Sequence, residues 1–210
     1  AYGPDPSHRL DIYRRTDLTG PRPVMLYVHG GGFRILSKDT HWMFGYYLAR
    51  LGFVVFNIDY RLAPAHPYPA AIEDCARALL WVMDHAADYQ GDASQLAYAG
   101  ESAGANLVSS LAIAGAFERP EPFAQEIFAR DPSPLAVLPA CGILQVSEPE
   151  RYLTRTDIPK WMLGRLAVVC SGYFPRVVRD PLTLADPLCI LESDEEPVRP
   201  LPPMMSICGL

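Results

Sequence analysis

The chain has 210 residues, of which half are hydrophobic and a fifth are charged, and its formal net charge at pH 7 is −6. This length can bury the core of a single domain, and the composition is typical of a globular protein. The negative charge and the lack of a run of lysines and arginines argue against nucleic acid as a partner. Every apolar run is interrupted well before transmembrane length, so we expect no membrane span.

The five cysteines are widely spaced and form no C-x-x-C pair. An odd number with this spacing favours small, buried hydrophobic side chains in a reducing compartment over a disulfide framework or a metal site. We therefore expect no metal site and a cytoplasmic location. The cysteines are Cys75, Cys141, Cys170, Cys189 and Cys208.

In chain order, residues 7–15 are typical of an edge strand or a hairpin arm. Continuous apolar runs, which suit strands buried on both faces of a parallel sheet, follow at residues 23–28, 53–58 and 95–99. Between these runs and after the last one, apolar residues recur at helical intervals, over residues 39–51, 70–87 and 103–117. This alternation predicts the α/β class, with a doubly wound, mostly parallel sheet.

Beyond residue 117 the pattern is less regular. A short amphipathic piece lies between two proline pairs, residues 135–144 predict another strand, and residues 147–187 hold helical fragments without a sheet pattern. An irregular insertion of this kind is typical of a lid over a ligand site, and we place it at about residues 118–190 of the single domain. Leu201-Pro202-Pro203 then opens an apolar run at 204–208 that starts like one more central strand.

The pentapeptide Gly100-Glu101-Ser102-Ala103-Gly104 has the G-x-S-x-G form of a nucleophile elbow. It follows a predicted strand and opens a predicted helix, which is the context that this motif requires. Serine is a poor nucleophile at neutral pH unless a base removes its proton, and a strained turn presents its hydroxyl. The small residues around Ser102 would let the helix pack tightly on the strand. Ser102 is therefore the predicted nucleophile.

A second motif, His29-Gly30-Gly31-Gly32, ends another predicted strand. Glycines leave backbone N–H groups uncovered, so that several of them can point at one oxygen atom. We expect the N–H groups of Gly31, Gly32 and Ala103 to form an oxyanion hole, with donors worth roughly 3–4 kcal/mol each to the transition state. His29 is expected to brace the glycine loop rather than to catalyse.

Three segments together resemble the hormone-sensitive lipase-like esterases: residues 29–33, residues 59–70 and residues 100–106. The resemblance covers nearly the whole chain, from about Tyr2 to Leu210. It implies an α/β-hydrolase fold with a cap, and hydrolysis of short-chain carboxylic esters through an acyl-serine, without a metal or other cofactor. The implied partner is a small-molecule ester, and the oligomeric state stays open.

The resemblance also implies a triad in the chain order serine, acid, histidine. All five histidines precede Ser102 in this chain. The family's aspartate would fall a few residues past Leu210 and its histidine further on, so we expect a C-terminally truncated, inactive piece of an esterase. Asp186 resembles the family's acid in its Asp-Pro-Leu context, but it precedes the Leu-Pro-Pro strand and is not expected to serve in the triad.

Two other interpretations remain open. The chain could be a small-molecule-binding protein on the same fold, as plant gibberellin receptors resemble this family and lack a working triad histidine. It could also be a complete short protein that gains its missing strands from a partner chain.

For a few further side chains the sequence gives less specific predictions. Glu101 stands where the family usually has aspartate, and we expect it to support the site, with Arg61 as a candidate partner. The tryptophans are expected in core or lid packing. Phe33, Tyr46 and Tyr47 could line an acyl pocket or lie in the core. The tryptophans are Trp42, Trp81 and Trp161.

Overall fold

The computed structural model describes residues 1–153, 160–174 and 182–206. Five strands form one sheet: β1 (Leu10–Tyr13), β2 (Arg22–Val28), β3 (Val54–Ile58), β4 (Gly91–Glu101) and β5 (Ala136–Ala140). Seven α-helices lie within the described ranges: α1 (Trp42–Arg50), α2 (Ala70–His85), α3 (Ala103–Ala116), α4 (Pro122–Arg130), α5 (Glu150–Leu153), α6 (Lys160–Tyr173) and α7 (Pro187–Leu191). Short 3-10 helices precede α1 and follow α2.

The sheet has the strand order β1-β3-β2-β4-β5. The strands β3, β2, β4 and β5 are parallel, and β1 pairs antiparallel with β3 at the edge. The prediction of a mostly parallel α/β sheet with an edge strand near residues 7–15 is thus confirmed. Of the last predicted strand, Met204 forms an isolated parallel bridge with Val137, and residues 207–210 lie outside the described residues.

The predicted apolar runs form strands of a sheet that is covered on both faces. One face carries the main core, in which side chains of β2, β3 and β4 pack against α2 and α3. The other face has a smaller cluster that includes Met25, Tyr27 and Val55, with Ala49 of α1. Burial on both faces explains why these strands read as continuous hydrophobic segments rather than as alternating ones.

The start of α3 lies unusually close to the ends of β2 and β4. A Cβ atom on Gly104 would stand 2.0 Å from the carbonyl oxygen of Val28, and one on Gly100 would stand 2.5 Å from the carbonyl oxygen of Gly104. Contacts of this length are impossible for real side chains, so both positions require glycine. The prediction that small residues allow tight packing of this helix on the strand is confirmed.

A buried polar cluster fastens the N-terminal segment to α2. Asp74 of α2 accepts a hydrogen bond from Nε2 of His8 at 2.9 Å and is also bonded by the backbone N–H and the guanidinium of Arg61. Arg61 is additionally paired with Glu73. The predicted pairing of Arg61 with Glu101 is therefore wrong, because the fixed fork of the guanidinium is satisfied bidentately by Asp74.

The aromatic side chains divide between the core and the surface. Phe33 is fully buried and stacks on Tyr173 with ring centroids 3.7 Å apart. Trp42, Tyr46 and Tyr47 are about half exposed on α1, so core burial of these three is wrong. Only the small residues Gly45 and Ala49 of α1 are buried, because this helix rests on the sheet along a narrow line.

We predict that Gly104→Ala destabilises the fold by at least about 3 kcal/mol, since the added methyl group would collide with backbone atoms that cannot move aside. Gly164→Ala is the matched control, because a Cβ on Gly164 of α6 would meet nothing within 4 Å. Alanine is the better helix former there and should be neutral or add up to about 1 kcal/mol. Urea unfolding of both variants checks this, and a Gly104→Ala protein as stable as the wild type would contradict it.

Candidate active site

Ser102 forms the turn between β4 and α3. Its backbone has φ 54° and ψ −112°, a conformation that costs a non-glycine residue on the order of 1–3 kcal/mol. The N–H of Ser102 donates to the carbonyl of Ala140 at the end of β5, at 2.8 Å. The side chain is partly exposed. The turn thus has the geometry expected of a nucleophile elbow, with the N-terminus of α3 behind it.

The glycine loop leaves the sheet beside this turn. The strands β2 and β4 are parallel neighbours in which Val28 is paired with Gly100, so the residues after each strand emerge together. Gly31 has φ 112° and Gly32 has φ 60°, both in the region that disfavours residues with a Cβ atom. The loop turns back on itself, because the carbonyl of Gly31 accepts the N–H groups of Arg34 and Ile35.

Both motifs contain backbone N–H groups that, among the described residues, have no protein acceptor. Within the described ranges, the N–H groups of Gly31, Gly32 and Ala103 donate to no protein acceptor. Ala103 is the first residue of α3, where the helix itself supplies no partner for an N–H group. An anionic oxygen placed beside Ser102 could accept hydrogen bonds from donors of this kind.

Glu101 joins the two motifs. Its Oε1 atom accepts the N–H of Gly30 at 3.1 Å and Nε2–H of His41 at 3.1 Å. His41 is buried, and its ring lies near those of His29 and Phe44, with centroids 5.5 and 5.9 Å away. No sequence motif points to His41. Its place just before an amphipathic helix gave no signal, since its partner lies 60 residues away.

His29 is held in a single orientation beneath the glycine loop. Its ring is buried, stacks on Tyr60 at 4.4 Å, and donates from Nδ1 to the carbonyl of Gly30. The hydroxyl of Tyr60 in turn donates to the carbonyl of His29. Burial, together with the nearby His41, lowers the pKa of His29 to about 4, although its hydrogen bond to Gly30 acts in the opposite direction.

The other histidines are engaged away from Ser102. His8 is bonded to Asp74, and His85 stacks on Trp81 and is bonded to its carbonyl. His66 is exposed on the loop before α2. In the part of the chain that the structure describes, no histidine nitrogen is hydrogen bonded to the Ser102 hydroxyl.

The surroundings of Asp186 indicate a structural role. It is completely buried, and its Oδ1 atom accepts the N–H groups of Val146 and Ser147 at 2.5 and 3.1 Å. It also precedes α7, in the segment that connects β5 to the last bridge of the sheet. Asp180, a weaker match to the same pattern, lies outside the described residues.

The helix α6 packs over the glycine loop. A Cβ on Gly32 would stand 2.7 Å from Cγ2 of Val169, and Nη1 of Arg34 donates to the carbonyl of Val168 at 3.2 Å. Tyr173, at the end of the same helix, stacks on Phe33 and accepts the N–H of Tyr68 at its carbonyl. The helix α6 therefore lies directly on the glycine loop.

Three further findings concern metal ligands, membrane spans and a surface groove. Among residues 1–153, 160–174 and 182–206, no group of three or more histidine, cysteine or acidic side chains is arranged to hold a metal ion. No helix in these ranges is long and apolar enough to cross a membrane. A groove of about 900 Å³ lies between the N-terminal segment, α2 and α4, but no residue of either motif lines it. We therefore locate the candidate site by the convergence of the motifs at Ser102, not by the size of this groove.

A family model described as the alpha/beta hydrolase fold matches residues 25–209. The chain belongs to the α/β-hydrolase family. In sequence, this chain is 45% identical over 91 residues to carboxylesterase NlhH of Mycobacterium tuberculosis (strain ATCC 25618 / H37Rv). Those residues are 43% of this chain and 28% of that protein, so the match spans about a quarter of the curated relative.

Two solved structures extend the comparison. Brefeldin A esterase, a bacterial homologue of human hormone-sensitive lipase, superposes with a TM-score of 0.73 at 26% identity, over 94% of this chain and 55% of that one. A bacterial heroin esterase superposes with a TM-score of 0.72 at 27% identity, over 96% of this chain and 61% of that one. The resemblance to hormone-sensitive lipase-like esterases is confirmed.

We predict that acid destabilises the protein in part through His29. In the unfolded chain this histidine has a pKa near 6.5, so between about pH 6.5 and pH 4 the unfolded state binds a proton that the folded state excludes. Stability that is present above pH 6.5 is then lost as the pH falls, by up to about 3 kcal/mol.

Urea unfolding at pH 7 and pH 4.5 checks this. Between these two pH values, the free energy of unfolding of the wild type should fall by about 2 kcal/mol more than that of His29→Gln. His66→Gln, at an exposed loop residue, is the control and should follow the wild type. Equal acid losses in the wild type and in His29→Gln would show that His29 makes no such contribution.

Proposed function

We propose that this chain carries the nucleophile and the oxyanion hole of a serine carboxylesterase. The observation that carries the proposal is that Ser102, in a strained turn, and the glycine loop follow the paired ends of β4 and β2. Among the described residues, the N–H groups of Gly31, Gly32 and Ala103 have no protein acceptor there. The similarity to carboxylesterase NlhH and to two esterase structures supports the same reaction.

In the proposed mechanism, the Oγ atom of Ser102 attacks the ester carbonyl while a histidine base removes its proton. The carbonyl oxygen becomes an oxyanion, which accepts hydrogen bonds from the three N–H groups. The same histidine returns the proton to the departing alcohol, leaving an acyl-serine. Water then attacks the acyl carbon, and its proton passes through the histidine to Ser102.

The base and its acidic partner belong, in this proposal, to residues that follow Leu210. The support is the chain order serine, acid, histidine in proteins with this elbow, together with the position of all five histidines before Ser102. Asp186 is not proposed as the acid, because it lies in the segment that precedes Leu201-Pro202-Pro203 rather than beyond the strand that those residues open.

The segment at about 118–190 is proposed to contribute a lid. The part that supports this role is α6, which rests on Gly32 and Arg34, whereas β5 of the same segment lies in the sheet. The proposed substrate is a small ester with a short acyl chain, and the proposed location is the cytoplasm. Of the described cysteines, Cys75 and Cys170 are buried as expected, whereas Cys141 is exposed and Cys189 is partly exposed.

We predict that Ser102→Ala lowers kcat for p-nitrophenyl butyrate by at least about 10⁴-fold, since it removes the atom that forms the acyl intermediate. Ser94→Ala, at an exposed residue of β4, is the control and should keep wild-type kinetics. The assay uses the protein expressed from the complete reading frame of its gene, called here the complete gene product.

The gene should encode an aspartate within a few codons of Leu210 and a histidine some tens of residues later. Residues 1–210 alone should then lose most of the activity, because an oxyanion hole without the triad base leaves only about 10³–10⁴-fold over the uncatalysed rate. A stop codon after Leu210, another residue at the histidine position, or full activity of Ser102→Ala would contradict the proposed enzyme.

A further inference from the structure

The carboxylate of Glu101 lies against the backbone of the glycine loop. A Cβ atom on Gly30 would stand only 2.0 Å from Oε1 of Glu101, which shows how closely the two approach. At that contact Oε1 accepts the N–H of Gly30, a residue that is buried. Without the carboxylate, this buried donor would lose its partner, at a cost typical of an unsatisfied polar group.

The same oxygen is held from the other side by His41. Because a carboxylate oxygen can only accept, Nε2 of His41 carries the proton of this 3.1 Å hydrogen bond. The ring of His41 is fixed by contacts of its own, with Nδ1 close to the hydroxyl of Thr40 at 2.9 Å and the ring of Phe44 alongside. His41 thus fixes the carboxylate, and the carboxylate fixes the loop.

These contacts tie together the two motifs from which the oxyanion donors come. Glu101 immediately precedes Ser102 and Ala103, and Gly30 immediately precedes Gly31 and Gly32. The hydrogen bond that the Gly30 N–H donates to Glu101 therefore sets the distance between the donors on the loop and the donor on the elbow. Displacement of the loop by a fraction of an ångström would weaken hydrogen bonds to an oxyanion, because their strength depends on geometry.

We propose that Glu101 and His41 are positioning residues that hold the glycine loop in register with the elbow, so that the N–H groups of both motifs converge on one oxyanion. This role rests on the proposed esterase function. Glu101 acts on the loop directly, and His41 acts through Glu101. Neither side chain touches the reacting atoms.

The kinetic test uses the complete gene product with p-nitrophenyl butyrate. Glu101→Ala should lower kcat about 10- to 100-fold with KM changed less than about twofold, since the oxyanion donors act mainly in the transition state. Glu101→Gln should stay within about fivefold of the wild type, because its amide oxygen can accept the same two hydrogen bonds. Rescue by glutamine separates positioning from a requirement for charge.

His41→Ala and the double variant complete a cycle. If His41 acts through Glu101, His41→Ala should lower kcat by less than Glu101→Ala does, and the double variant should be no slower than Glu101→Ala alone. Glu126→Ala removes an exposed carboxylate on α4 and is the control. Unchanged kcat in Glu101→Ala, or effects that multiply in the double variant, would overturn the proposal.

A second readout does not depend on turnover. In ¹H–¹⁵N spectra of the same proteins, the signal of the Gly30 amide should change its chemical shift in Glu101→Ala. Its proton should also exchange faster with solvent, whereas Glu126→Ala should change neither property. A Gly30 amide that is unaffected by Glu101→Ala overturns the positioning role even if the wild type is a good esterase. A wild type without turnover but with this amide response would instead refute the esterase function and leave the contact established.

Discussion

The site depends on how closely α3 approaches the ends of β2 and β4. The absence of side chains on Gly100 and Gly104 allows this approach, and the turn between them forces Ser102 into a backbone conformation with φ 54°. A strained residue of this kind persists only where its surroundings fix it. Here the hydrogen bond from Ser102 to Ala140 and the packing of α3 provide that support. The strain is therefore stabilised by the core of the fold, not by the loop itself.

Parallel pairing then brings the chemistry to one edge of the sheet. The strands β2 and β4 end side by side, so the glycine loop and the elbow meet although 71 residues separate Gly30 from Glu101. The N-terminus of α3 adds its partial positive charge beneath Ser102. Glu101 and His41 connect the two loops, and α6 covers one of them, so each part of the site is fixed by a different element of the fold.

Much of this arrangement could be predicted from local sequence signals. The buried strands and both motifs are continuous segments, so their patterns are complete in the sequence. The partner of Glu101 could not be found in this way, since His41 lies 60 residues away and no local pattern connects the two. Only the fold shows that Asp74 already satisfies Arg61. The exposure of Tyr46 and Tyr47 was missed for a related reason, because α1 meets the sheet through small residues.

The most direct test of the account is a crystal structure of the complete gene product after reaction with a p-nitrophenyl alkylphosphonate, which mimics the tetrahedral intermediate. The account predicts a bond from phosphorus to Oγ of Ser102, with the phosphoryl oxygen about 2.7–3.1 Å from the backbone nitrogens of Ala103 and of the glycine loop. A phosphonate attached to another residue, or a phosphoryl oxygen directed away from Gly31, Gly32 and Ala103, would contradict it.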